Sequence, residues 1–365
     1  MRILIRFVPF LLLLSAVFSC SSTPGKHNDK KDTAQVLAAG KLTERNHCIS
    51  DASVSYALYI PSTFSAGQKL PVFLAFDPHG NGLLPVNKFK SLAEKYRFIL
   101  MGSNDSKNNQ TMEETARISE ALLDEITNHI PVDAGKIYLT GFSGGSRVAS
   151  ILVRYKPGIR GMIGCGAGLA AINQPSQNSF DYFGLVGNAD FNMQEMILLD
   201  QDLATAGLKH SLVIFKGKHD WPAPEYMELG FRWMLGDTLN SSYQEAVAGM
   251  IKAGNVFPKV KFGKEIRDKE LKKQQDYLNS FFKKDISWWK KQVSGLRKTS
   301  GLTEDEIAMN QRILSYLSLV CYSQSSRALA EKDKTAAGYS IQLYGLVDPD
   351  NPAVKEMQQQ LEQLP

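Results

Sequence analysis

The sequence predicts an α/β fold, a mostly parallel sheet flanked by helices, followed by an all-helical C-terminal region. Two observations support this prediction. Between about residues 50 and 235, short apolar runs alternate with amphipathic stretches, as when strands and helices take turns along a chain. After Leu235 the apolar runs fade, and Lys, Gln and Leu recur at helical spacing.

Length and composition indicate about two domains of an ordinary folded protein. The chain has 365 residues, of which 43% are apolar and 22% are charged. These values exclude a disordered chain, a collagen-like repeat and a multi-span membrane protein. The formal charge of +5 is too small to indicate nucleic-acid binding. The four cysteines are widely spaced, which argues against a disulfide scaffold and a metal site: Cys20, Cys48, Cys165 and Cys321.

Residues 1–20 have the layout of an export signal. Two arginines precede an apolar run of about twelve residues, which is too short to span a bilayer. The end of this segment resembles the bacterial lipoprotein signal, in which Cys20 becomes the lipidated N-terminus, although Phe18 replaces the usual small residue. Plain signal-peptidase cleavage after Ser19 is the alternative. We expect a lipid-anchored protein of the bacterial cell envelope, with residues 21–48 as a flexible tether.

Seven strands are predicted within residues 49–236, the expected α/β domain. Leu70–Phe76 has no polar side chain, as expected of a strand buried on both faces. From this strand onward, each one runs into a Gly or Asp within two residues. In open α/β sheets the ligand site lies beyond the carboxyl ends of the strands, so these loops are the expected site. The seven strands are 54–60, 70–76, 98–101, 136–140, 161–163, 182–186 and 212–215.

Helices are expected between these strands and throughout residues 237–365. In the C-terminal region, Lys264–Val293 is predicted as one long helix, and Thr303 with Glu306 matches a capping box that opens another. The run from Thr335 onward weakly resembles a tetratricopeptide repeat, of which one partial unit is visible. We therefore predict an all-helical C-terminal region of unassigned type.

A G-x-S-x-G sequence, Gly141 to Gly145, follows one predicted strand and precedes a predicted helix. Glycines at these positions allow a sharp strand-to-helix turn that exposes the hydroxyl of Ser143 at the edge of the sheet. A serine hydroxyl is a weak nucleophile until a base removes its proton, and that base needs a carboxylate to hold its tautomer. The motif therefore predicts a nucleophile, and the partners must be sought in later loops.

Two later loops supply the expected partners. Asp190 follows the strand 182–186, and His219 follows the strand 212–215. Serine, acid and histidine in this chain order, each just past a strand, are typical of one known arrangement of the catalytic triad. Asp220 could serve as the acid instead, and Asp190 could simply cap the helix that follows. We favour Asp190, because the neighbour of His219 in sequence cannot easily orient its imidazole.

The loop after the buried strand 70–76 is the expected source of a second oxyanion donor. It contains His79, Gly80 and Asn81, and glycine lets the backbone approach a substrate closely. The first donor is the backbone N–H of Gly144, the residue after the nucleophile. We interpret His79 as structural and assign the second donor to Gly80 or Asn81.

These segments together resemble the α/β-hydrolase superfamily, in particular its secreted polyhydroxybutyrate-depolymerase and feruloyl-esterase-like group. The resemblance covers about residues 50–235 and none of the helical tail. It implies a carboxylic ester hydrolase that acts through an acyl-serine intermediate without a metal or cofactor. The segment 168–181 is too short for a sizeable lid. An open site is therefore implied, and the polymeric or phenolic substrate of the group is not carried over.

Two other functions compete with a serine esterase acting on a small-molecule or polymeric ester. A serine peptidase or amidase would use the same triad, because one triad serves both esters and amides. A catalytically inactive envelope scaffold would instead bind partners through its helical tail. The complete candidate triad, Ser143, His219 and Asp190, argues against the scaffold.

Residues 252–298 form a basic segment. It contains fourteen basic and five acidic residues, a charge of +9, so the rest of the chain sums to −4. Four aromatic residues are interleaved with these charges: Phe281, Phe282, Trp288 and Trp289. One interpretation is contact with a protein partner or an anionic surface, such as lipid or an acidic glycan. The other is a solvated helix face with aromatics packed on the α/β domain. Export argues against nucleic acid.

Overall fold

The computed structural model describes residues 38–171, 174–236, 240–259 and 264–364. The predicted signal peptide (1–20) and the lipidation site Cys20 lie outside the described residues, as does most of the predicted tether. The export signal, the lipid anchor and the envelope location therefore stay predictions. No helix of the described residues has the length and apolar character needed to cross a membrane.

Nine strands form one sheet in the order β1-β2-β4-β3-β5-β6-β7-β8-β9. The six strands from β3 to β8 form a parallel block at the centre of the sheet. At its two edges, β2 pairs antiparallel with both β1 and β4, and β9 pairs antiparallel with β8. This confirms the predicted mostly parallel sheet. The strands are β1 (Leu42–His47), β2 (Ser55–Tyr59), β3 (Leu70–Phe76), β4 (Ile99–Ser103), β5 (Val132–Phe142), β6 (Ile159–Cys165), β7 (Asp181–Gly187), β8 (His210–Phe215) and β9 (Val256–Phe257).

Helices cover both faces of the sheet and create two apolar cores. The first core lies under α2, α3 and α4, and the second lies under α1, α5 and α6. Along β3, Leu74 belongs to the first core and Phe73 to the second, so the strand is buried on both faces as predicted. The helices are α1 (Leu83–Tyr96), α2 (Met112–Asn128), α3 (Gly144–Tyr155), α4 (Met193–Thr205), α5 (Pro224–Met234) and α6 (Ser241–Lys252).

The sheet extends past both limits of the predicted α/β domain, 49–236. Strand β1 lies in the predicted tether, and α6 and β9 lie in the predicted helical region. Strand β1 is an edge strand with mostly polar residues, LTERNH, so it has no apolar run to reveal it. Strand β9 has only two residues, too few for any periodic pattern. The sheet therefore begins at Leu42 and ends at Phe257, beyond the predicted limits of 49 and 236.

The C-terminal helices pack around a third apolar core of their own. They are α7 (Lys264–Ser280), α8 (Ile286–Arg297), α9 (Glu304–Ala330), α10 (Lys334–Val347) and α11 (Pro352–Glu362). The capping box of Thr303 and Glu306 is present and opens α9. These helices range from 11 residues in α11 to 27 in α9, and the tetratricopeptide resemblance stays a prediction.

The single helix predicted at Lys264–Val293 is wrong, because the chain turns between α7 and α8. Phe282 has a left-handed φ of 59°, and the side chain of Asp285 caps the start of α8. Phe281 and Trp289 are buried in the core of the C-terminal helices, beside Tyr339, and not against the α/β domain as one interpretation predicted. Contact of the basic segment with an anionic surface or a protein stays a prediction.

Candidate active site

Ser143 lies on a strained turn between β5 and α3. Its φ of 52° and ψ of −118° are unfavourable for a residue with a side chain, and such strain is commonly found at functional positions. The flanking glycines make this turn feasible. A Cβ atom on Gly141 would overlap the carbonyl oxygen of Gly145, and one on Gly145 would overlap that of Phe76. The G-x-S-x-G pattern therefore reflects close backbone packing around the serine.

We predict that Gly145→Ala lowers the free energy of unfolding by about 3 kcal/mol, because backbone atoms of β3 must move to admit the methyl group. Urea denaturation of the purified protein measures this change. Gly295→Ala in α8 is the matched control: it is also a helical glycine, with open space around its Cβ position. The control should raise stability by about 0.5–1 kcal/mol. Equal effects at both positions would contradict the packing argument.

The three side chains of the predicted triad are hydrogen-bonded in series. His219 Nε2 lies 3.0 Å from Ser143 Oγ, and His219 Nδ1 lies 2.9 Å from Asp190 Oδ2. Each residue follows a different parallel strand, namely β5, β7 and β8, so the carboxyl ends of the sheet bring them together. The arrangement fits proton transfer from the serine hydroxyl to a histidine whose other nitrogen donates to a carboxylate.

Of the two candidate acids, Asp190 is the one that contacts the histidine. Its side chain is only 1% exposed, and its second oxygen, Oδ1, accepts a hydrogen bond from the backbone N–H of Asn192 at 2.8 Å. The position before α4 is occupied by Asn192, so Asp190 is not the cap of that helix. Asp220 is exposed, and its carboxylate accepts from the N–H of Trp221.

Two aromatic rings contact the imidazole of His219. The ring centroid of Phe142 is 4.7 Å away and that of Phe191 is 4.2 Å away. Gly166, after β6, lies beside the bond between the acid and the base: a Cβ there would come within 2.9 Å of Asp190 Oδ2 and 3.3 Å of His219 Nδ1. The sequence analysis missed Phe142, Phe191 and Gly166, although the glycine immediately after a buried strand was a usable signal.

The two loops predicted to supply the oxyanion donors follow neighbouring parallel strands, β3 and β5. Gly144 is the first residue of α3, where backbone N–H groups have no partner within the helix. In the loop after β3, the N–H of Gly80 donates to Asp77 O at 3.2 Å, whereas the N–H of Asn81 has no acceptor among the described residues. Of the two predicted second donors, Asn81 is therefore the one whose N–H is free in the described structure. The side chain of His79 is 83% exposed and contacts neither Ser143 nor His219 in the described structure.

Asp77 joins the loop after β3 to the histidine loop, and the sequence analysis did not select it. Its buried carboxylate accepts from the N–H of His79 at 2.9 Å and from Nε1 of Trp221 at 2.8 Å. Trp221 lies two residues after His219, so one carboxylate fixes both segments. Its position in the sequence, an acidic residue directly after a buried strand, could have indicated that Asp77 belongs to the site.

Asn108, in the loop after β4, lies beside Gly144. Its side-chain oxygen occupies the space that a Cβ on Gly144 would need, and its backbone N–H donates to Pro78 O at 2.9 Å. The side chain is exposed, so it is available to a substrate. Sequence analysis could not find this residue, because a polar loop has no periodic pattern to indicate its position.

Neither a metal-binding cluster nor a reactive thiol is found around the site among the described residues. No cluster of three or more His, Cys, Asp or Glu side chains in that part of the chain could hold a metal ion. Cys165 is fully buried, and burial raises the pKa of its thiol well above the usual range. Between β6 and β7, the described residues form no helix. The site is therefore not covered by a helical lid in the described structure.

No family model and no curated protein matches this chain. Among solved structures, it is similar to an S-formylglutathione hydrolase from Staphylococcus aureus (10% identity, 55% of this chain and 100% of that chain, TM-score 0.45). It is also similar to an esterase from Pyrobaculum calidifontis (14% identity, 60% of this chain and 87% of that chain, TM-score 0.41). A third similar structure is the acylaminoacyl peptidase of Pyrococcus horikoshii, with 10% identity and a TM-score of 0.39. The match covers 54% of this chain and 41% of the peptidase.

The fold follows from the chain's own features: parallel strands β3 to β8, helices on both faces, and a strained serine between β5 and α3. The candidate acid, Asp190, and the candidate base, His219, follow the later strands β7 and β8, in the chain order typical of this architecture. The chain has an α/β-hydrolase fold followed by a helical C-terminal region.

Proposed function

We propose that this protein is an exported serine hydrolase that cleaves carboxylic esters through an acyl-serine intermediate. The observation that supports it most directly is the hydrogen-bonded series from Ser143 Oγ through His219 to Asp190, at 3.0 and 2.9 Å. Distances in this range are those required of a nucleophile, its base and the group that orients the base.

In the acylation step, Ser143 Oγ attacks the ester carbonyl carbon while its proton moves to His219 Nε2. The carbonyl oxygen becomes an oxyanion, which the N–H groups of Gly144 and Asn81 stabilise. As the tetrahedral intermediate collapses, the bond to the alcohol oxygen breaks, and that oxygen takes the proton from His219. Asp190 holds the imidazole in the required tautomer and stabilises its transient positive charge.

Deacylation repeats these steps with water as the nucleophile. His219 Nε2 removes a proton from water, the resulting hydroxide adds to the acyl carbon, and the bond to Ser143 Oγ breaks. The proton returns to the serine, and the carboxylic acid leaves. Because Phe142 and Phe191 contact the imidazole, the ring keeps one orientation through both half-reactions. No step requires a metal or a cofactor.

The substrate class is tested by labelling and by a substrate panel. A fluorophosphonate probe should modify the purified mature protein, with mass spectrometry placing the adduct on Ser143. Short acyl esters and acylated sugars should be hydrolysed faster than peptide amides with matched acyl groups. In cells, the labelled protein should fractionate with membranes if Cys20 is lipidated. A wild-type protein that is neither labelled nor active on any member of the panel would reject the proposal in favour of the scaffold.

A further inference from the structure

A buried ion pair links two helices of the C-terminal region. Arg312 of α9 is 1% exposed and Glu270 of α7 is fully buried. Two parallel hydrogen bonds join them, from Nε to Oε1 at 2.9 Å and from Nη2 to Oε2 at 2.7 Å. A guanidinium and a carboxylate in this two-bond arrangement are held in one fixed orientation. The pair therefore presents the remaining nitrogen of Arg312 in a defined direction.

That remaining nitrogen, Nη1, donates to the backbone carbonyl of Asn188 at 2.6 Å. Asn188 belongs to the loop after β7 and lies two residues before Asp190. On the other side of the acid, Gln194 of α4 donates from Nε2 to Glu270 Oε2 at 3.3 Å. The C-terminal helices thus contact the chain both before and after Asp190, the candidate acid of the triad.

Asn188 is also the residue at which the acid loop is joined to the histidine loop. Its backbone N–H donates to Phe215 O at 2.7 Å, and its side-chain Oδ1 accepts from the N–H of Gly217 at 3.1 Å. Gly217 lies two residues before His219. A shift of the Asn188 peptide would therefore change the distance between Asp190 and His219.

Stability alone does not account for a charge pair at this place. Transfer of two charges out of water costs free energy, and replacement of a buried ion pair by apolar residues is often neutral or stabilising. An apolar pair would fill the same space but could not donate to the carbonyl of Asn188. The feature that only the ion pair supplies is a rigid donor aimed at the acid loop.

We propose that Arg312 and Glu270 are positioning residues of the active site. Through them, the C-terminal helices hold the acid loop at Asn188, so that Asp190 stays within hydrogen-bond distance of His219. This inference rests on the proposed serine hydrolase activity. It assigns to the helical region a direct role in turnover, in addition to any binding of partners.

The test uses the full chain with both partners replaced, Arg312→Met together with Glu270→Met, so that no unpaired charge is left buried. We expect kcat for an ester of the panel to fall by about 10- to 100-fold, because a small displacement of an oriented group has an effect of that size. KM should change by less than about threefold, since no substrate contact is removed. The low-field proton resonance of the bond between His219 Nδ1 and Asp190 should shift or broaden.

Arg297→Met is the matched control, because Arg297 is also an arginine of the helical region that donates to backbone carbonyls, those of Leu346 and Val347. It should leave kcat and the low-field resonance unchanged. If the double variant does not fold, Arg312→Lys keeps the charge but cannot contact Glu270 with two bonds and Asn188 at once, and should show the same loss. A folded variant with wild-type kcat and an unshifted resonance would overturn the inference. The resonance needs no substrate, so it decides this point even if the proposed ester activity fails.

Discussion

Ser143→Ala is expected to lower kcat for ester hydrolysis by about 10⁶-fold and to abolish labelling by a fluorophosphonate. The substitution removes the oxygen atom proposed to form the acyl intermediate, whereas the proposed oxyanion donors and the substrate contacts remain. The fold should persist, because Ser143 Oγ contacts another side chain of the site, His219, and the backbone turn depends on the neighbouring glycines rather than on the hydroxyl. Steady-state kinetics, with urea denaturation as a measure of folding, check this result.

Ser146→Ala is the control for this experiment. Ser146 lies three residues after Ser143, within α3, but it is fully buried and its hydroxyl donates to Ala167 O at 2.8 Å. Loss of that bond should cost about 1 kcal/mol of stability and leave turnover and labelling in place. Substantial turnover by the Ser143 variant would show that another group is the nucleophile.

Asp190→Asn is expected to lower kcat by about 10⁴-fold with little effect on KM. An amide of the same shape can donate to His219 Nδ1 and so favour the wrong tautomer, in which Nε2 carries the proton and cannot accept one from Ser143. The loss of activity should be severe, because Asp190 is buried and the described structure has no other carboxylate in contact with the imidazole. Kinetics on the best ester of the panel provide the measurement.

Asp220→Asn separates the two acids that the sequence offered. Asp220 is next to His219 in the chain, yet it is exposed and its carboxylate accepts from the backbone of Trp221. The variant should keep kcat within about threefold of the wild type. The reverse result, with a large loss at Asp220 and a small one at Asp190, would reassign the acid.

The parallel sheet could be predicted because each central strand has a self-contained signal. Leu70–Phe76 is apolar throughout, since helices cover both of its faces, and any such run is visible without knowledge of its neighbours. Strand β1 and strand β9 are visible only through their pairing with β2 and β8. The break at Phe282 was hidden for a different reason, because no Gly or Pro marks it within 264–293.

The candidate triad could be predicted because its three members follow strands in a fixed chain order. The residues that hold them could not. Asp77 contacts Trp221 across 144 positions, and Arg312 contacts Asn188 across 124, and neither pair has a spacing rule. An acidic residue in a loop or a basic residue in a long helix is most often exposed to solvent. Only the tertiary arrangement distinguishes these residues from their neighbours.

The contact between Arg312 and Asn188 also has a consequence for the order of events during synthesis. The ribosome completes the sheet and all three candidate catalytic side chains before it reaches position 312, which is 124 residues beyond Asn188. Domains fold as they emerge, N-terminal segments first. A chain that emerges N-terminus first, from the ribosome or from an export channel, can therefore form the sheet and the serine turn early, but the loop that carries Asp190 gains its last support only when α9 has emerged and has docked.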